Sequence, residues 1–153
     1  MSLDTTTEEK NILARVRANA VGGRVHEMLP DEEQIERDPI TGMVKPYIIL
    51  TFGEVFPLGT DRSILGAAEQ PHVLPIIGEC WGATVNEARG AAVALRLLFT
   101  GWAPSADNAS EIELSGGGRF TSYNRGRPVR YMRSVSASCV VNMSIHDDTV
   151  PAP

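Results

Sequence analysis

The chain is poor in the residues that build most recognisable chemistry. It has two cysteines, Cys80 and Cys139, and three histidines, His26, His72 and His146, spread over 153 residues. The cysteines do not stand at metal-site spacing, and no histidine has a second ligand three or four positions away. A zinc cluster and a helical histidine pair are therefore not encoded. Both cysteines fall in strand-like stretches, where buried free thiols are the expected state in a reducing compartment. His72 and Cys80 would share one strand at a separation of ~26 Å, since each extended residue advances ~3.3 Å, so thiol and imidazole cannot act together. His146 stands beside Asp147 and Asp148 and reads as part of a polar tail.

Long apolar runs are missing too, and none approaches the ~20 residues that cross a bilayer. The first ten residues lack the basic start and apolar middle of a signal peptide, so the chain is expected to stay in the cytoplasm where it is made. Ser115-Gly116-Gly117-Gly118-Arg119 follows a short strand and leads into Phe120 and Thr121 rather than a helix. It lacks the helix N-terminus that phosphate sites use and is expected to be a loop tip. With no catalytic, metal or cofactor site in view, the chain is not expected to be an enzyme.

What is present is a globular composition, 42% hydrophobic and 22% charged, at a length that suits a single domain over residues 1–153. The net charge of −5 is unevenly spread. Asp31, Glu32, Glu33, Glu36 and Asp38 crowd one segment, whereas Arg119, Arg125, Arg127, Arg130 and Arg133 crowd another that has no acidic residue. Such polarity suits self-association, and equally suits two solvated faces of opposite sign.

The clearest element lies in residues 84–101. Thr84 and Glu87 form a capping box, Val85, Ala88, Ala92, Leu95 and Phe99 make an apolar stripe joined by Ala91 and Leu98, and Gly101 supplies the stop. Leu95 and Phe99 are expected to face a sheet. Val93, Ala94 and Leu97 widen the apolar arc beyond what one sheet face covers, which places Leu97 nearer a subunit boundary.

A first helix is expected from the N-cap choices Thr5 with Glu8 and Thr6 with Glu9, ahead of Ile12, Leu13, Val16 and Ala20, with Gly22-Gly23 as its stop. Residues 25–45 are polar, and Asp38-Pro39-Ile40-Thr41-Gly42 is turn chemistry, so a hairpin or long arm is expected there. The arm, residues 31–45, and the tail, residues 146–153, hold too few apolar residues to fold alone and should be ordered by an assembly. Residues 46–52 read as a strand covered on both faces. Residues 72–81 read as another, with Pro75 arguing for an edge position or a bulge. Residues 59–71 and 104–110 read as loop and linker, and residues 111–114 as a short strand. Val135, Ala137, Cys139, Val141, Met143 and Ile145 alternate with mostly polar residues along a long final strand. The expected fold is α+β, a mainly antiparallel sheet with both helices packed on one face.

The order of these elements, with Pro46-Tyr47-Ile48-Ile49-Leu50 opening the first long strand and Gly82-Ala83-Thr84 opening a helix that closes on Leu97-Leu98-Phe99-Thr100-Gly101, resembles the tail terminator (tail completion) proteins of long-tailed bacteriophages. The resemblance spans residues 12–145. It implies a homohexameric ring at the head-proximal end of the virion tail, assembled in the host cytoplasm. The ring would cap the major tail tube protein, end its polymerisation and meet the head-side connector or head-completion protein, with DNA only passing through the lumen and no membrane contact. Asp31, Glu32, Glu33, Glu36, Leu97, Arg119, Arg125, Arg127, Arg130 and Arg133 are the candidate interface residues, with the acidic arm expected to meet the arginine stretch of a neighbour. Two other readings stand beside this one. The chain would be another phage neck or head-completion protein, or a nucleic-acid-binding module using Arg119, Arg125, Arg127, Arg130 and Arg133 on phosphates, with Tyr123 and Tyr131 for stacking.

Overall fold

In the computed structural model, which describes residues 4–58, 71–116, 120–123 and 129–142, the fold is α+β. Helix α1 spans Thr6–Asn19 and α2 spans Val85–Phe99. The strands are β1 (Val25–His26), β2 (Tyr47–Phe52), β3 (Phe56–Pro57), β4 (His72–Gly82), β5 (Glu113–Leu114), β6 (Phe120–Tyr123) and β7 (Arg130–Val141). They form one sheet in the order β1-β2-β4-β7-β5, with β3 beside β4 and β6 beside β7. Every pairing is antiparallel except that of β1 with β2.

Both helices lie on one face. Ile12, Leu13 and Val16 of α1 and Ala91, Ala92, Leu95 and Phe99 of α2 pack with Ile48, Leu50, Leu74, Ile76, Cys80, Val135, Ala137, Cys139 and Val141 of the sheet. The capping box forms as the sequence implies, the Glu87 N–H donating to the Thr84 hydroxyl at 3.2 Å and the Thr84 N–H to the Glu87 carboxylate at 3.2 Å. Gly101 takes the left-handed conformation, at φ +71°. Gly78 lets α2 approach β4 closely, because a Cβ there would stand 2.5 Å from Leu95 Cδ2.

Four expectations change. Glu8 does not cap α1: it is buried and accepts a hydrogen bond from Asn108 Nδ2 at 2.9 Å, while the Asp4 carboxylate takes the Thr6 N–H at 2.9 Å. Strand β4 is central rather than an edge, with Pro75 inside it. The Pro75 carbonyl accepts from the Gly53 N–H at 3.0 Å. Carbonyl and nitrogen of an antiparallel strand residue point the same way, so the missing donor faces the break between β2 and β3 and leaves the β7 ladder whole. Residues 104–110 are anchored rather than a free linker: Asn11 Nδ2 donates to the Pro104 carbonyl at 2.7 Å and Ala109 is buried. The fourth change is the arm, described next. Residues 59–70, most of the glycine-rich tip and the tail from residue 143 lie outside the described residues.

Candidate functional site

Residues 31–45 fold onto the sheet face opposite the helices. The Asp31 N–H donates to Gln34 Oε1 at 2.9 Å, which helps to fix one short 3-10 turn over Glu32–Gln34. The Asp38 carboxylate accepts from the N–H groups of Ile40 and Thr41 at 2.8 and 2.9 Å, closing the turn that Pro39 and Gly42 encode. Arg37 and Val44 then bridge the two limbs. This shape turns Ile35 and Val44 inward, where they form a second apolar cluster with Tyr47, Ile49, Trp81 and Ala83. The segment expected to wait for an assembly is thus seated within its own subunit, because two well-placed apolar residues suffice once a sheet face is offered to them.

Two of its carboxylates, Glu32 and Glu36, are paired. The Glu32 carboxylate accepts from Arg130 Nη2 at 2.6 Å and Nη1 at 3.3 Å, and from Arg37 Nη2 at 2.9 Å. Glu36 pairs with Lys45 at 2.8 Å and with Arg24 at 3.9 Å. The Arg130 hydrogen bond holds the Glu32 carboxyl below its usual range, and Lys45 does the same for Glu36. Arg130 itself is buried, with its guanidinium carbon 5.4 Å from the centre of the Trp81 ring. Trp81 stacks on Tyr47 at 6.0 Å and 5° between planes, and His26 meets Tyr47 edge-on at 5.9 Å. Burial pushes the Tyr47 phenol up to about 12 and lowers the His26 pKa.

The opposite-sign pair expected between neighbouring subunits is therefore made inside one chain by Glu32 and Arg130. Asp31 and Glu33 remain exposed beside it, and Arg133 lies partly buried on β7, opposite Cys80 in register. Arg119, Arg125 and Arg127 lie outside the described residues. Sequence reasoning missed Arg24, Arg37 and Lys45 as partners of the acidic block, although Arg37 and Lys45 are interleaved with it, and missed Tyr47 and Trp81 as the surface under it.

A second surface lies on α2. Leu97 is 69% exposed and Val93 50% exposed, one helical turn apart, and Gly90 continues the stripe with open space around it. The flank of α2 toward α1 is occupied differently: Arg15 Nε donates to the Leu98 carbonyl at 2.8 Å and the Arg15 guanidinium lies 4.7 Å from the centre of the Trp102 ring. A groove of about 460 Å³ between α1 and β2 is lined in part by Glu9, Lys10, Glu27 and Phe52.

Both cysteines are buried, and burial pushes each thiol up to about 12, which keeps them protonated and poorly nucleophilic. Among the described residues no three His, Cys, Asp or Glu side chains converge as a metal site would require. The described surface thus carries a charged lobe seated on an aromatic sheet face and an exposed apolar stripe on α2. No protein-family model and no curated protein matches this chain.

Proposed function

We propose that this chain is a structural subunit of a long-tailed phage that self-associates into a ring. The ring would cap the tail tube, end its growth and join it to the head-side connector. The observation that carries the self-association is the Val93 and Leu97 stripe. The inner face of this helix is engaged with the sheet, and two aliphatic side chains one turn apart on its outer face stand in water, an arrangement that suits a contact surface. The ring and its place in a virion rest on the resemblance in element order. The partners would be further copies of this chain, the major tail tube protein and the connector, with DNA passing through the lumen.

The phosphate-binding alternative is weakened by Arg130, which is buried and committed to Glu32 within the chain. Negative-stain microscopy of the purified chain, alone and mixed with tail tube subunits, tests the proposal. Closed rings of uniform diameter are expected in at least one of the two samples, and Leu97→Asp should abolish them while leaving the monomer folded. A chain that stays monomeric in both samples would overturn it.

A further inference from the structure

The outer side of α2 and the uncovered part of the sheet carry features that one subunit does not use. Gly90 stands inside α2, where glycine weakens a helix, yet a Cβ there would meet no neighbouring atom within 4 Å. Close packing within the subunit therefore does not call for it. With Val93 and Leu97 it forms one stripe, at spacings of three and four, and Arg89 and Arg96 run along one side of that stripe.

The lobe covers only the Tyr47 and Trp81 end of the sheet face opposite the helices. Beyond it Phe56, Val73 and Val140 stand side by side in register across β3, β4 and β7, and Ile77 lies further along β4 on the same face. Phe56 and Ile77 are exposed, and Val73 and Val140 are partly buried. Glu79 on β4 and Glu113 on β5 bound this patch at opposite corners. Among the described residues, none of Arg96, Glu79 and Glu113 stands in an ion pair.

We infer that the outer stripe of α2 in one copy lies on this open patch of the next copy, with Arg89 and Arg96 directed toward its Glu79 and Glu113. The dimensions agree: Gly90 to Leu97 spans ~10 Å of helix, and Val73 to Ile77 spans ~13 Å of strand. Gly90 then has a purpose, since the absent side chain lets the helix settle closely on a pleated surface. Charge selects this pairing over the symmetric ones. Two α2 stripes face to face would bring arginines together, and two sheet patches would bring glutamates together. The two surfaces lie on opposite sides of the sheet, so the contact is heterologous and closes by rotation into a ring. This rests on the self-association proposed above and adds the surface that receives α2.

Chains carrying Val93→Cys or Ile77→Cys, each with its own affinity tag, test it when mixed and treated with a short bismaleimide. Both positions are exposed, so the variants should fold, and the native cysteines are buried and protonated. Covalent heterodimers are expected, in clear excess over homodimers of either variant. The wild-type chain is assayed beside them, alone and with tail tube subunits. If it associates and loses that association on Leu97→Asp, yet the mixture gives only homodimers or no linked species, the helix-to-sheet contact is overturned while self-association stands. If the wild-type chain never associates, both fail together.

Charge reversal gives a second readout. Arg89→Glu with Arg96→Glu should weaken association about tenfold, and adding Glu79→Arg with Glu113→Arg to the same chain should restore most of the loss. A first variant that associates as tightly as the wild type, or a second no tighter than the first, overturns the pairing.

Discussion

The two faces of this sheet are covered by opposite means. On one, α1 and α2 lay continuous apolar stripes against Ile48, Leu50, Leu74, Ile76 and Val135, and most of the cover comes from regular elements. On the other, an irregular lobe sets down two aliphatic residues, Ile35 and Val44, and ties itself to the sheet through carboxylate and guanidinium groups. The lobe covers one end only: Tyr47, Ile49 and Trp81 lie beneath it, while Ile77 further along the same face is exposed. The first cover is a condition of folding, because the sheet has no other way to remove its apolar face from water. The second is a local attachment whose strength depends on a few contacts and on pH.

The widest break in that contrast should come from Phe99→Ala. Phe99 is fully buried, so the variant should lose ~3–5 kcal/mol of global stability, seen as a lower midpoint in denaturant with both faces unfolding together. Ile35→Ala should be smaller in free energy, ~2 kcal/mol at the low end for such truncations because the lobe can settle into the space. Its signature is locality: amide exchange should quicken across residues 31–45 while α2 and β4 keep their protection. A uniform rise in exchange would show that the two faces are one cooperative unit.

Acid should separate the faces next. The Glu32 carboxyl is held below its ordinary value of 4.5, chiefly by Arg130, so its contribution is complete above that pH and is lost as pH falls through the lower folded value. Below about pH 4.5 the lobe should loosen before the helix face does. The contribution is about 1 kcal/mol or less, since Glu32 is more than half exposed. Glu32→Gln should remove this pH step, with Trp81 emission reporting the lobe and Trp102, beside Arg15, reporting the other face. Lobe loosening that persists unchanged in Glu32→Gln would assign the titration elsewhere. The smallest expected effect on stability is that of Leu97→Ser, within ~0.5 kcal/mol, because the side chain is already exposed. Its thermal melt should match the parent even where association is lost; a large fall in the melt would place Leu97 in the fold rather than at a contact.

The sequence by itself determined the helix face. Three-to-four spacing in α2, the Thr84 and Glu87 capping box, the strand at residues 46–52 and the alternation through Cys139 and Val141 are local patterns. Local patterns suffice when a regular element buries one continuous stripe. The exposed position of Leu97 followed from the same arithmetic, since with Val93 and Ala94 it made the apolar arc wider than one sheet face covers. The central place of β4 did not follow, because Pro75 signals a missing donor without saying which neighbour lies on that side; only the break between β2 and β3 makes it harmless. The seat of residues 31–45 was likewise decided by tertiary structure. The two residues that become buried, Ile35 and Val44, stand nine positions apart with no periodic pattern to single them out from Ile40 and Met43, and Glu32 meets Arg130 across 98 positions of chain. Such a pairing becomes visible only once the sheet has brought β7 and Trp81 beneath the lobe, since an ion pair between distant residues leaves no spacing in the sequence for a reader to find.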